Sequence, residues 1–140
     1  YDQAMEQYQK AEEAYVAAGA TRTADYAGLL KSIGANLSKR GHYDQAMEQF
    51  QKAEEAYVAA GATRTADYAN MLQGMGVILR ERGQLEDAMK QYQQAEEAFV
   101  ATGATRTAGY AKLLRNMCVI LAKRGQLEDA MKQYQQAEEA

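Results

Sequence analysis

Between Gly41 and Gly61 the apolar residues Ala46, Phe50, Ala53, Tyr57 and Ala60 step alternately by four and three positions. That spacing places them on one face of a 3.6-residue period, and Glu48, Gln51, Lys52 and Glu55 fall on the other side. The stretch therefore predicts one amphipathic helix, bracketed by glycines that can reverse the chain. It recurs at Tyr1–Gly19 and Leu85–Gly103, and in shortened form at Leu127–Ala140. A single amphipathic helix cannot bury its stripe. Copies at a fixed spacing predict that each buries its stripe against its neighbours.

Aligning Tyr1, Tyr43, Leu85 and Leu127 gives a period of 42 residues, with repeats 1–42, 43–84 and 85–126 and a partial copy at 127–140. We expect one continuous array. Each period holds the helix just described, helix B, and a second one, helix A, over Thr21–Arg40, Thr63–Arg82 and Thr105–Arg124. The helix A stripe reads Ala27, Leu30, Ile33 and Leu37, then Ala69, Leu72, Met75 and Leu79, then Ala111, Leu114, Met117 and Leu121. Thr21 or Thr23, and their equivalents, can cap the free amides at its start. Asp25 and Asp67 suit the positive end of the helix dipole, and Gly109 in their place predicts a weaker third start. Each helix A ends in Lys39-Arg40-Gly41, Glu81-Arg82-Gly83 or Lys123-Arg124-Gly125. Cations followed by glycine make a helix stop. Links of about three to five residues then force neighbouring helices to run antiparallel.

The 47% apolar and 25% charged composition, without proline or tryptophan, fits an all-α chain. A net charge of −3 offers no case for nucleic-acid binding. No apolar run nears the roughly 20 residues of a membrane span. The single cysteine, Cys118, forbids an internal disulfide and fits a reducing, cytoplasmic setting. Candidate chemistry is sparse. His42 is the one histidine and follows Gly41 in a loop; Cys118 lies on the apolar side of helix A as a small buried thiol. There is no metal-ligand cluster, no calcium loop and no phosphate loop. We expect no catalytic residues, no metal and no cofactor.

Gly34, Leu37, Gly41, Tyr43, Ala46, Phe50 and Ala53 resemble the tetratricopeptide repeat signature, and the spacing returns at Gly76, Leu79, Gly83, Leu85, Ala88, Tyr92 and Ala95. Leu30 and Leu72 stand where that family often has tryptophan. Cys118 stands at the close-packing glycine position. Val16, Val58 and Val100 replace the proline that usually ends helix B. Without proline the helix keeps its hydrogen bonds and continues, which accounts for a 42-residue period. The array is most similar to the 42-residue class of these repeats, of which kinesin light chain is an example. The resemblance implies an α-solenoid of antiparallel helix pairs, wound as a right-handed superhelix, that serves as a protein-binding scaffold.

Charge divides by helix type. Helices A with their caps sum to +9 and helices B to −12. In the family, helices A line the concave face, so the resemblance implies a basic groove that attracts an acidic peptide. Repeat differences point the same way. The first two copies differ at 11 of 42 positions, and nine of these lie between residues 28 and 39 of helix A. We therefore expect a peptide-binding groove formed by Lys31, Asn70, Gln73, Arg80, Lys112, Arg115 and Asn116. The carboxylate clamp of chaperone-binding relatives is a poor match: Lys31 and Lys112 occupy two of its positions, but Ala35, Gly74 and Asn116 occupy the rest. The alternative expectation is a structural array that stacks head to tail on copies of itself, because no polar terminal cap is visible.

Overall fold

The computed structural model describes residues 2–123, 125 and 127–139. Among these the chain forms seven α-helices and no strand: α1 (Asp2–Ala17), α2 (Ala24–Lys39), α3 (Tyr43–Ala59), α4 (Ala66–Glu81), α5 (Leu85–Ala101), α6 (Ala108–Lys123) and α7 (Leu127–Glu139). Helices of type B and A alternate as the periodicity predicts. Tyr1, Arg124 of the third basic pair, and Ala140 lie outside the described residues. The helices gather into two compact units, Tyr1–Thr63 and Arg64–Ala140. No helix among the described residues is long and apolar enough to cross a membrane.

Local chemistry sets the helix ends. Thr23, not Thr21, caps α2: Tyr26 N–H donates to Thr23 Oγ1 at 3.1 Å. The same bond recurs at Thr65 and Thr107, at 3.1 and 3.2 Å. Helix A thus starts directly after the Gly-Ala-Thr-Arg-Thr run, and the B-to-A links 18–23, 60–65 and 102–107 are six residues long, one more than expected. The links 40–42 and 82–84 keep to three. At the end of α2, Gly41 takes φ +79°. That lets His42 N–H reach Leu37 O at 2.9 Å and Gly41 N–H reach Ser38 O at 3.0 Å, closing the carbonyls left open at a helix end. Ala60 does not join the helix B stripe; it is the C-cap residue of α3 and is exposed.

The helix A stripe is wider than its apolar period suggests. Ala27, Leu30, Ile33 and Leu37 are buried, and Leu30 and Leu72 fill the positions where the signature has tryptophan. Leu79, Ala111 and Leu121 are only half-buried, whereas Ile78 and Ile120 are fully enclosed. The reason is that a helix A in an array packs on two sides. Thus α4 contacts α5, the helix B that follows it, and also α6, the next helix A.

Twice along the chain the ring of a helix B lies on a glycine of the helix A before it. A Cβ built on Gly34 would sit 2.9 Å from Phe50 Cδ1, and one on Gly76 would sit 2.5 Å from Tyr92 Cε1. Gly28, also inside a helix, has nothing within 4 Å of its Cβ position. Gly28→Ala should therefore stabilise by about 0.5–1 kcal/mol. Gly76→Ala should instead cost about 1–3 kcal/mol through overpacking, more than its gain in helix propensity. Urea midpoints of the two variants will show opposite signs.

A recurring aromatic contact joins helix B to the helix A that follows it. Tyr26 O–H donates to Glu12 Oε2 at 3.2 Å while the Tyr15 and Tyr26 rings lie 5.6 Å apart. Glu12 thus has a structural task, and the contact returns in the second unit. There Tyr110 O–H donates to Glu96 Oε2 at 3.4 Å and the Phe99 and Tyr110 rings are 5.7 Å apart.

Candidate functional site

Four of the seven residues expected in the groove meet between α4 and α6. Gln73 is the one buried polar side chain among the described residues, 5% exposed. Its Nε2 donates to Gly109 O at 3.3 Å, and its Oε1 accepts from Asn116 Nδ2 at 2.8 Å. Asn116 Oδ1 accepts from Arg80 Nη1 at 3.1 Å, and Arg80 also pairs with Glu81 at 3.2 Å. Asn70 is exposed, yet its Oδ1 would lie 2.9 Å from a Cβ at position 109. Gly109 therefore leaves room for the Asn70 side chain, which a Cβ at this position would push aside. Despite losing that carboxylate, α6 starts in the same register as α2 and α4. Gln73, Arg80 and Asn116 thus tie one repeat to the next. Sequence reasoning read them as groove contacts only. A signal was available: the repeat that gains Asn116 is the one that loses its first-turn aspartate.

Lys112 and Arg115 are placed differently. Both are exposed on α6, and neither has an ion-pair partner among the described residues. They border a cavity of about 530 Å³ between α6 and α7, together with Asn116. Its other walls are Cys118, Val119 and Ala122 of α6 and Met131 and Tyr134 of α7. Val119, Met131 and Tyr134 are 41%, 64% and 50% exposed, so half of the six large exposed hydrophobics among the described residues gather at this one place. Sequence reasoning did not find Met131 and Tyr134, because their equivalents Met89 and Tyr92 are ordinary core residues.

Lys31 stands in the first unit, half-buried on α2. That unit has its own cavity of about 330 Å³ between the start of α2 and the end of α3, bordered by Thr21, Arg22, Tyr26, Lys52 and Glu55. Cys118 is buried, and burial raises its thiol above its ordinary pKa, which works against a thiolate nucleophile. His42 is exposed. No group of three His, Cys, Asp or Glu side chains among the described residues could hold a metal.

Paired helices of alternating type, repeating every 42 residues and with α4 packed on α6, define an all-α protein of the α-solenoid class. The tetratricopeptide repeat family model matches residues 25–101, more than half of the chain, so this protein belongs to the tetratricopeptide repeat family. Among solved structures it is similar to the crystal structure of BtubC (BKLC) from P. vanneervenii, with a TM-score of 0.76 and 19% sequence identity. The match covers 96% of this chain and 56% of that one, so this chain spans little more than half the length of that protein. No match was found among curated proteins.

Proposed function

We propose that the chain is a non-enzymatic scaffold that holds an acidic segment of a partner protein on its helix A face. Tetratricopeptide repeats in general mediate protein–protein interaction. The finer reading rests on one observation: Lys112 and Arg115 are exposed cations without an ion-pair partner among the described residues, and they stand beside an apolar cavity. A cation pair left in this state attracts carboxylates and adds to the on-rate of an acidic partner. Asn70, Gln73, Arg80 and Asn116 shape and stiffen the surface between α4 and α6; Lys31, on α2, belongs to the first unit. A cytoplasmic setting suits this scaffold, whose Cys118 is in no disulfide.

The test is fluorescence anisotropy with a labelled glutamate-rich peptide of about a dozen residues. Lys112→Glu combined with Arg115→Glu should weaken binding at least tenfold, the equivalent of about 1.4 kcal/mol. Raising the salt should weaken binding to the unaltered chain, because exposed charges are screened. Equal binding by the charge-reversed variant would overturn the proposal.

A further inference from the structure

Apolar burial cannot tell one helix A of this chain from another. Ala27, Leu30 and Leu37 recur as Ala69, Leu72 and Leu79, and as Ala111, Leu114 and Leu121. Attraction between such stripes is non-directional and follows the area buried. Chains that fold side by side can therefore exchange helices or pair them out of register, a characteristic failure of repeat proteins. Only polar residues can choose the neighbour.

Between α4 and α6 those residues are matched. Asn116 serves two partners at once: its Nδ2 donates to Gln73 Oε1 at 2.8 Å, and its Oδ1 accepts from Arg80 Nη1 at 3.1 Å. Gln73 is 5% exposed, so a neighbour without a donor for Oε1 leaves a desolvated carbonyl unpaired. The other helices A lack the residues for this match. At the register of Asn116, α2 has Ser32 and α4 has Gly74. Glycine brings no side chain. Serine brings one short hydroxyl in place of a donor and an acceptor on separate atoms. The α4 side is as particular. At the registers of Gln73 and Arg80, α2 has Lys31 and Ser38, and α6 has Arg115 and Ala122. Lysine and arginine only donate, so neither can accept from Asn116 Nδ2.

We propose that Gln73 and Arg80 of α4 and Asn116 of α6 form a pairing code that admits α6 as the neighbour of α4 and rejects α2 and α4 of a second copy of the chain. The distinction decides how far association runs. Exchange of α6 between two chains satisfies the code in both, is reciprocal and stops at a dimer. Pairing α4 with α2 or α4 of another chain leaves an α6 unmatched, does not close and adds further copies. The code thus acts against open-ended association while the apolar stripe stays intact. It is independent of the acidic-segment function proposed above.

The experiment unfolds the 140-residue chain and a Gln73→Leu, Asn116→Leu double variant in urea and refolds each at high concentration. Native mass spectrometry then counts the oligomers, with samples never unfolded as the blank for any stacking of folded chains. The double variant replaces both amides with apolar groups, so α4 keeps a surface to bury but loses its means of selection. It should refold with unchanged circular dichroism. It should form roughly tenfold more trimers and larger species than the unaltered chain, the change in population to which one unpaired buried amide corresponds. Asn116→Ser, which carries the α2 residue, should also raise them, and it secures the test if the double variant does not fold. In urea unfolding, Gln73→Leu and Asn116→Leu should each lower the midpoint, and together they should lower it by less than their sum. Large species no more abundant in the folded variants than in the unaltered chain would overturn the proposal. So would additive midpoints, because residues that do not recognise each other cannot encode a choice.

Discussion

Ile78→Ala is expected to lower the stability of the second unit by about 2–5 kcal/mol, the range for removing an enclosed aliphatic side chain and leaving part of the cavity unfilled. Ile78 is 0% exposed on α4. Its neighbour Leu79 is only half-buried, so Leu79→Ala should cost about 1 kcal/mol, since part of the side chain already meets water. Urea unfolding would read both as shifts in midpoint at constant slope. A larger loss at Leu79 than at Ile78 would mean that α4 is rotated from the orientation described above. The same register position in the first repeat holds Asn36, whose Oδ1 is buried without a hydrogen-bond partner. Asn36→Ile should accordingly raise the stability of the first unit by about 1 kcal/mol, because the uncompensated carbonyl is removed.

Alkaline pH should produce the second large effect. Burial raises the Tyr92 phenol from 10.0 to about 12; nearby Arg80 opposes the shift and Glu81 adds to it. Between these values the folded chain keeps the Tyr92 proton, whereas the unfolded chain releases it. Stability linked to Tyr92 is therefore complete below pH 10.0 and is lost as the pH climbs towards about 12. Two pH units correspond to about 2–3 kcal/mol. Tyr92→Phe removes the titrating group. It also removes a buried hydroxyl that has no hydrogen-bond partner, and Phe50 already fills the same seat in the first repeat. The variant should be at least as stable at neutral pH and should lose much less stability from pH 10 to 12. A smaller alkaline decline will persist, because burial and Glu12 raise Tyr26, and burial and Glu96 raise Tyr110. Identical pH profiles for the two proteins would show that Tyr92 ionises as readily folded as unfolded.

The helices and their order were legible because helix formation is local: apolar spacing, capping residues and glycine stops all act within a few positions. The errors also have local causes. Thr21 and Thr23 are equally suited to capping, and only the finished backbone directs Tyr26 N–H to Thr23. Ala60 matched the period, yet it falls one position beyond the last helical turn. The stripe of helix A was drawn too narrow because periodicity reports one buried face, and Ile78 lies towards a second. Long-range geometry was not legible at all. Gln73 and Asn116 differ by 43 positions, and nothing within either repeat says that one amide will find the other. Cys118 was visible as a departure from the glycine pattern. The close seats of Phe50 on Gly34 and Tyr92 on Gly76 become clear only in the folded chain.

The tie between α4 and α6 acquires a role in cooperativity. In a one-dimensional array, what makes neighbours melt together is the coupling across each junction. The recurring tyrosine–glutamate contact is a generic coupling, present in both units. The amides of Gln73 and Asn116, with the Gly109 carbonyl and the Arg80 guanidinium, form a coupling specific to one junction. Hydrogen–deuterium exchange should therefore show α4 and α6 protected together, and removing the Gln73 amide should let their protection diverge.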